Sequence, residues 1–171
     1  MIKYRKIYTI LEENKMSIEK AKAYLESKGF DLGRIIEFDT SSATVELAAQ
    51  ALGCEAAHIA KSITFGVNGE AVLIVAAGDT KIDNAKFKAF FGVKAKMLTP
   101  DEVSEMIGHT VGGVCPFGVN DGVKVYLDAS LKRFEAVYPA CGSSNSCVKL
   151  SLSELEELSA SLGWIDVCKY V

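Results

Sequence analysis

The chain has 171 residues, 49% hydrophobic and 24% charged, enough for one well-buried core and too few for two comfortable domains, so residues 1–171 are read as one domain. Nineteen Lys and Arg against 22 Asp and Glu give a net charge of -3, which excludes a protein that coats DNA or other nucleic acid through bulk charge and leaves room for a local basic patch. Five scattered cysteines, Cys54, Cys115, Cys141, Cys147 and Cys168, form no C-x-x-C pair and have only His58 and His109 beside them, which points to no metal, no cofactor, no disulfide framework and a reducing, cytoplasmic setting.

Residues 1–14 mix charged and apolar side chains, a pattern that suits a strand or a short helix equally and lacks the apolar core of a secretory signal. No later run of about 18 apolar residues could span a bilayer, so no membrane is expected as a partner. Ser17 reads as the N-cap of a helix with Ile18, Ala21, Tyr24 and Leu25 on one face and Gly29 as its stop. Residues 35–38 read as a short strand, 39–43 as a polar loop, and Thr44 as the cap of a second helix that carries Val45, Leu47, Ala48 and Leu52 and stops at Gly53. His58, alone before the next strand, reads as a surface or satisfied histidine.

The stretch Ile59-Ala-Lys-Ser-Ile-Thr-Phe65 is a buried strand that carries a lysine. Alternation sets Ile59, Lys61, Ile63 and Phe65 on one face, with Ala60, Ser62 and Thr64 on the other. An unpartnered buried ammonium is costly. Either the Lys61 stem snorkels to solvent or an anion meets its charge. Asn68-Gly69 then signals a tight hairpin into residues 71–77, an apolar run expected to be buried on both faces. Residues 78–83 read as a loop, with Asp83 capping a helix that stops at Gly92. Lys81, Lys86, Lys88, Lys94 and Lys96 make this the one locally basic segment, either a solvated face or a docking surface for a phosphate backbone.

Thr99-Pro-Asp-Glu102 is a capping box opening a helix with Val103, Met106 and Ile107 that ends near Gly108. In residues 109–118 three glycines and a proline surround small apolar side chains, which permits either a tight turn or a backbone that approaches a ligand closely. Strands are expected at 123–127 and around 134–138, a small polar loop at 140–147, and a short strand at 148–150. A second capping box, Ser151-Leu-Ser-Glu154, opens the last helix, and residues 164–171 read as an outer strand. Helices interspersed among short strands, without regular β-α-β alternation, define an α+β fold on a mixed, mostly antiparallel, barrel-like sheet surrounded by helices.

Several of these segments together resemble the YbaK family, which comprises aminoacyl-tRNA deacylases and the editing domain of bacterial prolyl-tRNA synthetase. They are Thr44-Val-Glu-Leu-Ala-Ala49, Leu52-Gly53, Ile59–Phe65, Ala77-Gly-Asp79, Val111-Gly-Gly-Val-Cys-Pro-Phe-Gly118, Tyr126-Leu-Asp128, Ser130-Leu131 and Gly142-Ser-Ser-Asn145. The resemblance spans residues 35–158 and keeps the family's order. It implies a free-standing trans-editing hydrolase that deacylates mischarged aminoacyl-tRNA, with tRNA-Pro carrying a small residue such as Cys or Ala as the expected substrate and prolyl-tRNA synthetase as a further partner it allows for. Serine and threonine stay open as the amino acid. By the same resemblance Lys61 holds the terminal nucleotide and the Gly112–Pro116 loop sits against the substrate carbonyl, with Lys61, Gly112 and Gly113 in the catalytic roles. Phe38, Ser62, Val114, Cys115, Pro116, Gly142, Ser143 and Asn145 are the implied substrate contacts, and Lys61, Lys81, Lys86 and Lys88 the tRNA contacts. No side chain in the family is a covalent nucleophile, and a tRNA 2′-hydroxyl is proposed to help place the water. This chain departs from the family in its late loop, where Ser143, Ser144, Asn145, Ser146 and Cys147 stand in place of the histidine or aspartate of some members.

Two other readings belong to different classes. One is a thiol enzyme using Cys115 or Cys141, although nothing adjacent to Cys115 in the sequence supplies the cationic neighbour that activates a thiol. The other is a non-catalytic module of the same fold that binds tRNA or a synthetase.

Overall fold

The computed structural model describes residues 2–171; Met1, part of the undecided lead-in, lies outside the described residues, as do the side chains of Ile2, Tyr4 and Ile10. Helix α1 spans Ile2–Ser27 without a break. Ser17 is therefore not a cap. No glycine or proline interrupts residues 2–28, so the helix expected from Ser17 continues through the lead-in, and Ser17 becomes a buried residue of its middle. The predicted stop holds: Gly29 takes φ +77° and Phe30 N–H reaches back to Leu25 O at 3.0 Å.

Strand β1 (Ile35–Glu37) leads to α2 (Val45–Leu52), capped by Thr44 and closed by Gly53 in the left-handed conformation. Strands β2 (Ile59–Val67) and β3 (Glu70–Ala77) form the central hairpin. Asn68 and Gly69 both have positive φ, 51° and 80°, the signature of the type I′ turn that matches strand twist. Next come β4 (Thr80–Ile82), α3 (Asn84–Phe91), and α4 (Pro100–Glu102), which runs into a π turn at Val103–Ile107. The chain finishes with β5 (Lys124–Asp128), β6 (Ala136–Pro139), β7 (Ser146–Val148), β8 (Leu150–Ser151), α5 (Leu152–Leu158), β9 (Trp164–Ile165) and β10 (Cys168–Tyr170).

The curled, half-barrel sheet has the order β8-β6-β2-β3-β5-β9. Its β2–β3 and β6–β8 pairs are antiparallel, whereas β2–β6, β3–β5 and β5–β9 are parallel. Two small antiparallel sheets, β1–β7 and β4–β10, flank it. Three boundaries differ from expectation. The loop at 78–83 contains β4, because β10 pairs with it. The late loop is shorter than 140–147, since Ser146 and Cys147 belong to β7. The outer strand is two strands, interrupted where Val167 N–H turns to Oδ2 of buried Asp128 at 2.9 Å.

Strand β3 separates two apolar layers. Leu73, Val75 and Ala77 pack with Val125, Leu127, Val137 and the α1 residues Ala21 and Leu25, while Val72, Ile74 and Ala76 pack with Phe65 and Phe87. Burial on both faces explains its unbroken apolar run. Among the described residues no helix is long and apolar enough to cross a membrane.

Candidate active site

A cleft of about 340 Å³ opens beside β2, where β6 leaves it. One wall is the start of α2, with Thr44, Val45 and Ala48; the opposite wall is Leu98, Pro100 and Val103; Tyr138, Ala140 and Cys147 form the end nearest β6. Val111, Gly112 and Val114 close it from the glycine loop. Met97 and Val111, 63% and 60% exposed, place apolar surface at the cleft. Among the described residues that line it there is no Asp, Glu or His.

The loop at 109–118 is shaped by contacts of backbone on backbone. A Cβ on Gly113 would lie 2.7 Å from the main chain of Gly142 and Ser143, so only glycine lets the two small-residue loops touch. Gly142, at φ +88°, lies against α1 in turn; a Cβ there would stand 2.5 Å from Ser17 O. The stack of Gly113 on Gly142 on α1 thus holds Gly112 and Val114 at the cleft.

Half-buried Lys61 lines the cleft, and its ammonium donates to Thr80 O and to Gly78 O (3.5 Å). Those carbonyls of the β3–β4 turn resolve the sequence dilemma of a lysine on an apolar face: the charge is neither loose in solvent nor unpartnered. Desolvation lowers its pKa, with the nearby Asp79 carboxylate opposing. Asp79 itself is held by Arg133 in a two-point ion pair at 2.6 and 2.9 Å, which keeps its carboxyl below the usual range.

Of the residues expected at the site, the structure brings Lys61, Ser62, Gly112 and Val114 to the cleft. Phe38, Gly113, Cys115, Pro116, Gly142, Ser143 and Asn145 do not line it. Asn145 instead joins the late loop to Phe38, through Phe38 N–H to Asn145 O (2.7 Å) and Asn145 Nδ2 to Phe38 O (2.9 Å). Ser143 Oγ bonds Asn145 Oδ1 at 3.0 Å and meets Ser146 Oγ at 2.6 Å. Lys81, Lys86 and Lys88 are exposed outside the cleft, and Lys86 is bound to Asp166 at 2.8 Å and Cys168 O at 3.1 Å. Tyr138, Cys147, Leu98 and the turn at 43–45 were missed as cleft residues. Tyr138 sits at the end of a four-residue strand, and nothing in its local pattern marks that end as facing a cavity.

Cys115 does have an activating type of neighbour, contrary to its sequence surroundings. His109 Nε2 lies 3.6 Å from its sulfur. Both are fully buried, however, and burial raises the thiol pKa while lowering that of the imidazole to about 4. His109 Nε2–H donates to Phe117 O at 2.7 Å, since a carbonyl can only accept, which leaves Nδ1 to accept from Ser17 Oγ at 2.8 Å. The pair is neutral and dry, the reverse of a thiolate–imidazolium couple. Cys141 is buried too, its thiol pushed up to about 12. Among the described residues no group of three His, Cys, Asp or Glu could hold a metal.

The cleft therefore offers backbone N–H and C=O groups, hydroxyls, the Cys147 thiol and one lysine, and no carboxylate or imidazole. Residues 39–158 match the family described as aminoacyl-tRNA editing domain. The uncharacterized protein YwhH of Bacillus subtilis (strain 168) is 57% identical over 136 residues, 79% of this chain and 87% of that protein. The proline–tRNA ligase of Halalkalibacterium halodurans is 34% identical over 110 residues, 63% of this chain; the match spans 19% of that ligase's length. The crystal structure of a candidate trans-editing enzyme for prolyl tRNA synthetase superposes with a TM-score of 0.80 at 31% identity, covering 90% of this chain and 97% of that one.

Proposed function

The chain belongs to the aminoacyl-tRNA editing domain family, also called YbaK, and from that premise we propose that it is a single-domain, free-standing hydrolase that clears a wrong, small amino acid from tRNA. Supporting action in trans is its near-complete overlap with the solved candidate trans-editing enzyme. Kinship with prolyl-tRNA synthetases supports tRNA-Pro as the tRNA; Cys or Ala as its amino acid, and that synthetase as a partner the reading allows for, belong to the same proposal. A reducing, cytoplasmic setting is part of the same proposal.

The observation that carries the reading is the cleft's composition: a glycine loop beside a lysine-bearing strand, with no Asp, Glu or His in the lining. Ester hydrolysis fits such a site. Water attacks the ester carbon, the carbonyl oxygen takes up negative charge, and collapse breaks the bond to the ribose 3′-oxygen, which leaves with a proton. Preorganised backbone N–H groups stabilise that oxygen, each worth roughly 10²–10³ in rate. Gly112, at the cleft, is assigned that role; Gly113, whose N–H donates to Thr110 O at 3.1 Å, positions it, with Val114, Cys115 and Pro116 completing the loop. With no carboxylate or imidazole in the lining, the 2′-hydroxyl beside the ester is the group suited to place the water. Lys61, hydrogen-bonded to carbonyls and in no direct ion pair, supplies positive potential for the terminal nucleotide, and Lys81 and Lys88 extend it toward the acceptor stem.

Ser62 is assigned to the aminoacyl group. Phe38, Gly142, Ser143 and Asn145 act as positioning residues behind the loop. Selectivity among alanine, serine, cysteine and threonine must come from the apolar walls, where one methylene separates neighbours by about 1–3 kcal/mol. The test is release of amino acid from tRNA-Pro charged in turn with alanine, cysteine, serine, threonine and proline, at enzyme well below substrate. Turnover of a small noncognate residue with proline spared supports the deacylase; stoichiometric binding without release would establish a non-catalytic module instead.

A further inference from the structure

Strand β2 has two edges, and one of them is left incomplete. Toward β3 it is paired from Ala60 to Val67. On the opposite edge β6 pairs only with Ile59 and Ala60. The chain next meets that edge at residue 64, where Thr64 O accepts from Leu98 N–H at 3.1 Å and Gly66 N–H donates to Lys96 O at 3.0 Å. Backbone groups of successive strand residues point to alternate edges. Thr64 and Gly66 face the incomplete edge, so Ser62 faces it too, while Lys61, Ile63 and Phe65 face β3.

Among the described residues, no backbone or side-chain partner meets the N–H or the C=O of Ser62. Its hydroxyl is buried and also has none. Three polar groups of one residue are thus unpaired where Ser62 lines the cleft, between Tyr138 and Ala140 on one side and Leu98 on the other. A buried hydroxyl is nearly always satisfied, and two unpaired main-chain groups beside it at a cleft are free to take a ligand.

The missing partner has a definite shape. In an antiparallel ladder, two facing residues exchange both N–H···O bonds. An α-aminoacyl ester carries the same donor and acceptor on one carbon. We infer that the substrate's aminoacyl group docks on Ser62 as a strand of one residue, its α-ammonium donating to Ser62 C=O and its ester carbonyl oxygen accepting from Ser62 N–H. The inference rests on the deacylase reading above and adds to it a mode of recognition: the free α-amino group and the ester carbonyl are read together by the main chain of one strand residue, whatever the side chain. With no carboxylate in the lining, the ammonium is left to neutral oxygens, of which the unpaired Ser62 C=O stands beside the N–H suited to the ester carbonyl. Ser62 N–H then polarises the carbonyl under attack, alongside the Gly112 N–H. This is β-augmentation reduced to one unit.

Amide hydrogen exchange by NMR tests this without turnover. In the free protein the Ser62 amide should exchange on the order of 100-fold faster than those of Lys61 and Ile63, which are bonded to β3. Saturation with 3′-deoxy-3′-(L-alanylamino)adenosine, whose amide resists hydrolysis, should slow Ser62 on the order of tenfold. The propionyl analogue, which lacks the ammonium, should bind on the order of tenfold or more weakly. Ser62 as protected as its neighbours in the free protein would overturn the inference. So would analogue shifts at Tyr138 and Val114 with no slowing at Ser62, or slowing at Thr64 in its place, either of which leaves the deacylase reading standing. No shift anywhere in the cleft would overturn both.

Discussion

Two regions of this molecule hold chemically suggestive groups, and they lie on different elements. Under α1, Ser17, His109 and Cys115 form a hydrogen-bonded constellation of the kind that marks a nucleophile and its base. At the incomplete edge of β2, the cleft contains no histidine and no carboxylate. The first region is buried and electrically neutral, with Ser17 and His109, but not Cys115, bordering a separate cleft; the second is open and has unpaired main chain at Ser62. The residue types most associated with catalysis are here packing material, and the groups suited to hydrolysis are peptide bonds. A constellation counts as a site only where substrate can reach it.

The largest expected effect separates the two regions by stability. His109→Ala leaves the Ser17 hydroxyl and Phe117 O without their partner and opens a cavity in the core, for a loss of about 4 kcal/mol measured by urea unfolding. Deacylation per folded molecule should persist. An intact Tm with lost turnover would instead move His109 into the chemistry. Next in size is a pH effect. The folded imidazole titrates near pH 4 because burial disfavours its charge, whereas the unfolded one titrates near 6.5. Between those values the unfolded chain binds the proton and the folded chain does not, so the His109 contribution is complete above about pH 6.5 and fades as pH falls toward 4, by up to roughly 3 kcal/mol. His109→Gln should flatten that part of the stability–pH curve.

Lys61→Ala tests the other region. Deacylation should fall on the order of 10²-fold, while stability falls by about 1–2 kcal/mol, since Thr80 O, on a residue only 2% exposed, loses a charged donor. A stability loss as large as that of His109→Ala would make Lys61 a clamp on the β3–β4 turn and dissolve the contrast between the two regions.

How far the sequence could be read follows the range of the interactions involved. Caps, turns and alternation are local, so Thr44, Asp83, Thr99, Ser151, Asn68-Gly69 and the apolar run of β3 were all legible. The unbroken α1 was not, because a mid-helix serine and a capping serine look alike until Ser17 is seen facing His109, 92 residues away. Parallel pairing of β3 with β5 carries no local signal either. In the cleft, Lys61 and the glycine loop announced themselves by residue type. The gap at Ser62 could not, since it is the absence of a neighbouring strand, and Tyr138 reaches the cleft only through the β2–β6 pairing. Ser143 and Asn145 were implied as substrate contacts by resemblance, yet their hydrogen bonds go to each other, to Ser146 and to the Phe38 segment.

The smallest effect is the sharpest on the thiol question. Cys115→Ala removes a sulfur that touches His109 Nε2 and Phe117 O at 3.6 Å each. The stronger His109–Phe117 bond is untouched, so the loss should be about 1 kcal/mol of packing. Deacylation should stay within about twofold of wild type, against the 10⁴-fold or greater loss typical when a covalent nucleophile is removed. For the thiol to act, it would have to ionise where burial raises its pKa, beside an imidazole that burial keeps neutral, and with its sulfur outside both the cleft at β2 and the separate cleft that Ser17 and His109 border. Each of those conditions disfavours the thiolate independently. A steady-state comparison of the two proteins on one aminoacyl-tRNA therefore decides whether the Cys115–His109 contact is chemistry or packing, and a loss beyond tenfold with Tm preserved would reverse the roles of the two regions.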